Sequence, residues 1–245
     1  MGDLVESSTN ESAPRDAVNS RPSHVKVVSS AREAVSDINS GATILVGGWG
    51  GIGVPKELLN AVAESEPQNL TVVSNNCGMG DSGDIGVLFS KRLVSKAITT
   101  FPVHAGATEF KEALEAGGLE VEVTPQGTLA ERLRSAGAGL GGFFTPTGYG
   151  TELAKGKEAP REINGKNYIF EESLFGDFAL IRAALVDEIG NIRFEFVGRS
   201  FSPLMAMAAR VTIVEAEEIL PPGALHPDDI HLPGIFVDRI VKVAK

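Results

Sequence analysis

The chain has 245 residues, of which 42% are hydrophobic and 22% are charged, a composition typical of soluble globular proteins. Its 22 basic and 32 acidic residues give a net charge of −10, so it lacks the clustered cations that nucleic-acid binding needs. A single cysteine, Cys77, excludes an internal disulfide, and the four histidines have no metal-site spacing. Glycine is the outlier, with 28 residues or about 11% against a usual ~7%, which favours functional glycine-rich turns.

The first 23 residues are polar and contain no apolar run as long as that of a signal peptide. We expect them to form a disordered tail, because they cannot bury enough apolar surface to become ordered. The longest run of apolar residues and glycines, Ile44 to Val54, is far shorter than the ~20 residues of a membrane helix. The sequence therefore predicts a cytoplasmic protein without a membrane segment, with one domain over residues 24–245.

Strand-like and helix-like segments alternate through the first half of the chain. A capped helix start follows Ser29, and Pro55 suits the first turn of a second helix. Strands are predicted over residues 43–46, 70–73, 97–101 and 119–123, and further helices over 84–93, 107–116 and 128–136. This βαβα alternation is typical of an α/β fold with an open, mostly parallel sheet flanked by helices on both faces.

The second half, after Gly148, is predicted to be richer in β-structure. Residues 163–166 (INGK) indicate a turn between two strands, and residues 187–191 a hairpin turn between strands over 178–186 and 192–196. A helix rich in Met and Ala is predicted over 203–210, followed by a buried strand over 211–214. No internal repeat or linker interrupts this half.

A glycine-rich loop, GGWGGIGVP at residues 47–55, lies between the first strand and the next helix. Residues 48–53 match G-x-G-x-x-G, the dinucleotide-binding pattern. That pattern also needs a carboxylate at the end of the second strand, where this chain has Ser74, Asn75 and Asn76, so NAD is disfavoured. The loop is instead expected to let a ligand approach the backbone near helix amides that favour an anion or an oxyanion. A purely structural turn is the alternative.

Six ordered blocks between residues 26 and 243 carry a family resemblance. They are GATILVGGWGGIGVP (41–55), SNNCG (74–78), TPQGTLAER (124–132), TPTGYGT (145–151), DFALI (177–181) and PGIFV (233–237). In this order they resemble the alpha (A-type) chain of the 3-oxoacid coenzyme A-transferases, and residues 100–102 and 205–209 look most like the 3-oxoadipate enzymes. Trp49 stands where the family usually has Phe, and Ser200 and Ser202 where Asn is common. Acid specificity is the property that these departures affect most.

The resemblance implies the coenzyme A-transferase fold and a reaction that moves CoA from succinyl-CoA to a 3-oxo acid, with 3-oxoadipate favoured. In the family this is a ping-pong reaction in which a glutamate attacks the thioester. That glutamate belongs to the B subunit, and its motif is not found in this chain. The resemblance therefore implies a B-subunit partner in an A₂B₂ heterotetramer, with the CoA thioester as a substrate and no permanently bound cofactor or metal.

The resemblance also implies which residues form the site. It assigns Asn75 and Gln126 as amides that stabilise the oxyanion of each tetrahedral step. Further contacts to substrate or CoA are expected at Gly48, Trp49, Gly50, Gly51, Gly53, Asn76, Thr147 and Gly148. Without it, an Asx turn is the favoured interpretation of the asparagines, and a helix-capping or surface residue that of Gln126. Residues 145–150 either shape the acyl pocket or only turn the chain. Cys77 is predicted to be a packing residue, because no histidine neighbours it in sequence.

Three other functions are compatible with such a chain. It could serve an acetoacetate or an acetate/butyrate CoA-transferase. A ring-opening hydrolase built on the same fold is a second alternative, and the intact block over residues 124–132 argues against it. A non-catalytic sensor of sugar phosphates or acyl-CoA is a third, and the chain shows no DNA-binding appendage that would mark it.

Overall fold

The computed structural model describes residues 24–80, 84–102 and 106–243. The predicted tail over residues 1–23 lies outside the described residues, and one domain over 24–245 stays a prediction. The strands are β1 (Lys26–Val28), β2 (Thr43–Val46), β3 (Leu70–Asn76), β4 (Val94–Phe101), β5 (Glu120–Val123), β6 (Gly142–Thr145), β7 (Arg161–Ile163), β8 (Lys166–Glu172), β9 (Gly176–Asp187), β10 (Ile192–Arg193), β11 (Ala209–Leu220) and β12 (Arg239–Lys242).

The described strands form one large sheet and one small one. The large sheet has the order β1-β12-β11-β9-β2-β3-β4-β5, and every neighbouring pair in it is parallel. β10 adds to it by pairing antiparallel with β9, and β6, β8 and β7 form the small antiparallel sheet. The mostly parallel α/β sheet and the β-rich second half are both confirmed.

In the part of the chain that the structure describes, six α-helices cover the two faces of the large sheet. They are α1 (Ala31–Ala34), α2 (Lys56–Ser65), α3 (Gly86–Ser90), α4 (Thr108–Glu115), α5 (Gln126–Gly137) and α6 (Ser202–Ala208). In β2, Ile44 and Val46 pack into the cluster that holds α1 to α4, whereas Leu45 packs into the cluster that holds α5 and α6. Alternate strand residues thus serve opposite faces, which is why the strand is apolar throughout.

Several predicted boundaries need correction. The helix predicted over 203–210 ends at Ala208, because Ala209 already pairs with Gly176 in the long β9–β11 ladder. The strand predicted over 192–196 ends at Arg193, and Phe196–Arg199 forms a 3-10 turn. The helix predicted over 84–93 covers only Gly86–Ser90, since Arg92 adopts a positive φ of 57° that ends it. Across the described residues, no helix combines the length and apolar character needed to cross a bilayer.

Candidate functional site

The predicted site gathers at one edge of the large sheet. β2, β3, β4 and β5 are parallel neighbours, so their carboxyl ends meet at this edge, where open α/β sheets bind ligands. A pocket of about 400 Å³ opens there, and we call it the amide pocket. It is lined by Trp49, Gly50, Asn75, Asn76, Met79, Thr100, Phe101 and Gln126. The structure therefore brings together five of the residues that the sequence assigned to the site.

The glycine loop forms a small hairpin at this edge. The Trp49 N–H donates to the Ile52 carbonyl at 2.9 Å, and the Ile52 N–H donates back to the Trp49 carbonyl at 2.9 Å. Between them, Gly50 and Gly51 have φ values of 54° and 85°, and two central residues with positive φ are characteristic of a type I′ turn. The hairpin holds Trp49 at the amide pocket and Ile52 at a neighbouring pocket.

The other glycines of the loop are required by close packing. A Cβ on Gly47 would lie 2.6 Å from Ser202 Oγ, and one on Gly48 2.7 Å from Val54 Cγ2. A Cβ on Gly53 would lie 2.6 Å from the Cα of Gly198. The structural-turn alternative therefore explains why the glycines are there. Gly48 and Gly51 nevertheless line a narrow slot beneath the loop, which continues from the amide pocket.

The helix that follows the loop does not offer its first amides to a ligand. Glu215 is fully buried, and its Oε2 accepts hydrogen bonds from the backbone N–H of Glu57 at 2.8 Å and of Leu58 at 3.2 Å. Its Oε1 accepts from Arg182 at 2.6 Å. The expectation that these α2 amides bind a substrate anion is wrong, because a carboxylate of the chain itself already occupies them.

Asn75 is buried at the end of β3 and held by the neighbouring strand. Its side-chain Nδ2 donates to Thr100 Oγ1 at 3.0 Å, while the Thr100 and Thr99 hydroxyls donate to its backbone carbonyl. Only 6% of Asn75 is exposed, but it lines both the amide pocket and the slot. A primary amide carries two N–H donors, and the bond to Thr100 needs only one of them. The second can donate to a ligand oxygen.

The two other side-chain amides at the pocket, Asn76 and Gln126, differ in their hydrogen bonds and their position in the fold. Asn76 Oδ1 accepts from the Gly78 N–H at 3.0 Å, which is the Asx turn of the alternative interpretation, and the residue still lines the pocket. Gln126 is exposed and is the first residue of α5. The cap position of α5 belongs to Pro125 and has no side-chain cap bond, so Gln126 is not the helix cap.

Asp84 is a buried site residue that sequence reasoning missed. Its carboxylate accepts from the backbone N–H of Met79 and of Gly86, each at 2.7 Å. It lines the slot together with Asn75, and it fixes Met79 at the wall of the amide pocket. No sequence pattern marks it, since both partners are backbone groups that come close only in the fold.

Cys77 is confirmed as a buried packing residue. It is 1% exposed and belongs to the hydrophobic core. Burial raises the pKa of the Cys77 thiol to about 12, with a smaller opposing effect from a hydrogen bond with Thr99. The thiolate that nucleophilic chemistry needs is therefore essentially absent at neutral pH.

Thr147 and Gly148 lie apart from the other predicted residues. They follow β6, where the Thr147 N–H donates to Thr145 Oγ1 at 3.2 Å. A Cβ on Gly148 would contact Leu153 and Ile169 at 3.3 Å, beside the small sheet. Neither residue lines the amide pocket or the slot, and their contact with acyl-CoA stays a prediction. Within the described ranges, no group of three His, Cys, Asp or Glu side chains could hold a metal ion.

Comparison with known proteins decides the family. The sequence model of the family described as Coenzyme A transferase matches residues 28–243. The A-type chain of a succinyl-CoA:3-ketoacid coenzyme A transferase from Helicobacter pylori is 46% identical over 221 residues, covering 90% of this chain and 93% of the relative. The chain belongs to the coenzyme A transferase family. The A-type chain of a 3-oxoadipate CoA-transferase from Pseudomonas putida is also similar to this transferase, at 44% identity over 89% of the chain and 94% of the relative.

Solved structures share the fold of this transferase. An acyl-CoA transferase from Escherichia coli superposes with a TM-score of 0.77 at 24% identity, over 91% of this chain and 48% of its own. Glutaconate coenzyme A-transferase from Acidaminococcus fermentans gives a TM-score of 0.77 at 22% identity, over 91% of this chain and 76% of its own. The transferase spans about half the length of the first of these structures.

Proposed function

We propose that this transferase is the A-type chain of a 3-oxoacid coenzyme A-transferase, which moves CoA from succinyl-CoA to a 3-oxo acid. The observation that carries the proposal is the amide pocket, which Asn75 and Gln126 both line at the carboxyl edge of the sheet. Relatives with both 3-ketoacid and 3-oxoadipate names match almost the full chain at 44–46% identity, which supports the same reaction class.

The proposed mechanism is ping-pong. A glutamate carboxylate on the partner chain attacks the succinyl-CoA carbonyl, and the CoA thiolate leaves, which gives a glutamyl–succinyl anhydride. The thiolate then attacks the glutamyl carbonyl, so that succinate leaves and a glutamyl-CoA thioester remains. The 3-oxo acid repeats these two steps in reverse order and departs as its CoA thioester. This chain contributes neutral amide N–H donors, which stabilise each tetrahedral oxyanion in a pocket at the sheet edge.

The acceptor acid is the finer part of the proposal. The resemblance of residues 100–102 and 205–209 favours 3-oxoadipate, whereas acetoacetate, or acetate and butyrate, would suit the same chemistry. The 3-ketoacid and 3-oxoadipate relatives differ little in identity to this chain, 46% against 44%, so they do not distinguish the acids. The ring-opening hydrolase alternative differs in outcome, since it would add water across a ring bond of a cyclic substrate and would transfer no CoA.

The partner is proposed to cover the same sheet edge. Phe196 is 89% exposed and Ile52 is 52% exposed, and both line a pocket next to the glycine loop. Phe196 also has a φ of 47°, which is uncommon for an aromatic residue. Such strained backbone conformations cluster at functional sites. Exposed apolar surface next to the amide pocket favours a partner chain at this edge of the sheet. The resemblance implies that this partner is the B subunit of an A₂B₂ assembly.

Isotope exchange tests the mechanism. The complex of this chain with its B subunit should exchange labelled succinate into succinyl-CoA when no 3-oxo acid is present, because the first half-reaction is reversible on its own. Borohydride should then trap the glutamyl-CoA thioester on the B subunit. Net transfer without exchange would contradict the ping-pong mechanism. A complex that transfers no CoA between acids but opens a cyclic CoA thioester with water would favour the hydrolase.

A further inference from the structure

Two neighbouring threonines of β4 hold Asn75 in different ways. Both hydroxyls donate to the Asn75 backbone carbonyl, Thr99 Oγ1 at 3.1 Å and Thr100 Oγ1 at 2.8 Å. Thr100 in addition contacts the side chain, since its Oγ1 accepts from Asn75 Nδ2 at 3.0 Å. The strand register accounts for this contact. Ser74 pairs with Thr99 in the parallel ladder, so the residues that follow them, Asn75 and Thr100, lie side by side.

The single hydroxyl proton of Thr100 decides which way the amide of Asn75 faces. A threonine hydroxyl has one O–H donor and two lone pairs. Because Thr100 gives its proton to the Asn75 carbonyl, its Oγ1 acts as an acceptor towards the side chain, and the NH₂ group must face it. Turning the amide over would set its oxygen against a lone pair of Thr100, or would draw the proton away from the carbonyl. Either change costs a hydrogen bond, so Thr100 favours one orientation of the amide.

A fixed orientation of Asn75 has a consequence for the amide pocket, which both Asn75 and Thr100 line. The bond to Thr100 uses one N–H of the amide and leaves the second N–H for a ligand oxygen. A preorganised donor stabilises developing charge because it does not have to turn during the reaction. Thr100 is β-branched, so its own χ1 angle is restricted, which makes it a stiff support for the amide.

We propose that Thr100 is a positioning residue, which acts on the reaction through Asn75 by holding its amide with one N–H directed at the pocket. The inference rests on the proposed function and adds the residue that presets the orientation of one of its two amides. It applies to both half-reactions, because the donor acid and the acceptor acid each pass through a tetrahedral oxyanion. It therefore favours no acid over another.

Replacing each threonine separately tests this role. In the complex of the full chain with its B subunit, Thr100→Val should lower kcat about tenfold to a hundredfold, because a misplaced group at a reacting centre costs up to about a hundredfold. Thr100→Ser keeps the hydroxyl, so its kcat should stay close to that of the wild type. Thr99→Val is the matched control, since it removes a hydroxyl from the same carbonyl and Thr99 is fully buried. It should lower the melting temperature about as much as Thr100→Val and leave kcat close to the wild-type value.

A double substitution separates positioning from direct action on the substrate. If Thr100 works through Asn75, adding Thr100→Val to Asn75→Ala should lower kcat no further, because the amide that it positions is gone. Two effects that multiply would overturn the inference. A raised KM with a near-normal kcat in Thr100→Val would also overturn it, since the hydroxyl would then bind the acid in the ground state. Equal losses of kcat in Thr99→Val and Thr100→Val would reduce the role of both residues to the stability of the strand pair, and would overturn it as well.

Failure of this inference and failure of the proposed function give different results. A normal kcat in Thr100→Val, measured beside an active wild-type complex, would overturn the inference alone. A wild-type complex that transfers no CoA would overturn the proposed function, and the inference with it.

Discussion

Asn75 and Gln126 are two amides at one pocket, but the protein holds them differently. Asn75 is buried and bonded to Thr100, whereas Gln126 is exposed at the start of α5. The proposed chemistry needs an N–H donor from each, so both substitutions should reduce turnover. Their effects on stability should differ, because only Asn75 also contributes to the fold. This difference gives each substitution its own control.

Gln126→Ala should lower kcat about 10²–10³-fold, the usual effect of removing one preorganised oxyanion donor, without a change in melting temperature. Asn75→Ala should lower kcat by a similar factor and also destabilise the protein by about 1 kcal/mol, because the Thr100 bond is lost. Steady-state kinetics of the complex and thermal melting of each variant measure both. A normal kcat in either folded variant would assign that amide a structural role. A raised KM with a near-normal kcat would mean that it binds the acid in the ground state.

The reactivity of the Cys77 thiol should be low over the ordinary pH range. Because burial raises the pKa of the thiol to about 12, the folded protein should resist alkylation by iodoacetamide at pH 7–9 and react only when unfolded. Cys77→Ala should change kcat by less than about tenfold and lower stability modestly, as the loss of a small buried side chain does. Complete loss of turnover with an unchanged circular dichroism spectrum would restore the nucleophile.

At the level of single residues, the sequence predicted those pocket residues that lie within a recognisable local motif. Asn75, Asn76 and Gln126 stand next to strand ends in recognisable blocks, and the structure brings them together. The role of Asp84 was not predictable, since it bonds two backbone amides that only the folded loop brings close. Thr147 lies in a similarly clear block, but the pocket does not include it.

Among the structural elements, the glycine hairpin depends most clearly on the backbone conformation of its glycines. Gly50 needs only a positive φ, as no atom lies within 4 Å of a Cβ placed on it, whereas Gly53 needs both a positive φ and contact with Gly198. Gly50→Ala should therefore lower the free energy of unfolding by about 1–2 kcal/mol through strain alone. Gly53→Ala should lower it more, because its Cβ would lie 2.6 Å from a backbone carbon. Chemical denaturation measures the free energy of unfolding of both variants. Equal decreases would mean that the contact between Gly53 and Gly198 adds nothing to the cost of the substitution.

Glu215 connects the helix after this hairpin to the sheet. Its carboxylate accepts from two amides of α2 and from Arg182, which also pairs with Glu217 at 3.1 Å. Glu215→Gln should lower the free energy of unfolding by about 3 kcal/mol, because it leaves the guanidinium without its buried partner. Glu217→Gln is the matched control, since that pair is partly exposed and should contribute less than about 1 kcal/mol.

The contribution of Glu215 to stability should depend on pH in one direction. Burial raises the pKa of Glu215, against opposing effects from the α2 amides and Arg182. The folded protein thus binds this proton more tightly than the unfolded chain does. The contribution of that proton to stability is complete below the ordinary glutamate pKa and is lost as the pH rises through the raised one. Glu215→Gln should lack this part of the pH profile, and an identical profile in Glu217→Gln and Glu215→Gln would contradict it.

Element boundaries were predictable only where local signals agree. The strand over 43–46 and the turn at Asn164 and Gly165 follow from apolar runs and turn residues, and both are confirmed. The start of β11 at Ala209 was not predictable, because its pairing with Gly176 depends on a strand more than thirty residues away. Long-range pairing overrides the helical preference of a Met/Ala-rich segment.

At the scale of the whole molecule, most of the residues proposed for the site lie at one edge of the large sheet. β9 enters the middle of the sheet between β2 and β11, although it follows the small sheet in sequence. That insertion brings Gly198, in the turn after β10, against the glycine loop and places Phe196 beside the edge. The alternating pattern in the sequence indicates the fold class. The strand order depends on contacts between distant segments and could not be derived from the pattern.

Under the proposed function, this edge is one half of an active site. Amide side chains and exposed apolar residues lie together at the edge, and the proposed nucleophile belongs to a second chain. CoA transfer should therefore need this chain and its B subunit together.

Reconstitution tests that requirement most directly. Succinyl-CoA-dependent formation of 3-oxoacyl-CoA would be measured with this chain by itself, with its partner by itself and with the two mixed. We expect transfer only in the mixture, together with loss of that transfer when the mixture contains Gln126→Ala. Full transfer by this chain without its partner, or the same rate from the partner as from the mixture, would contradict the requirement.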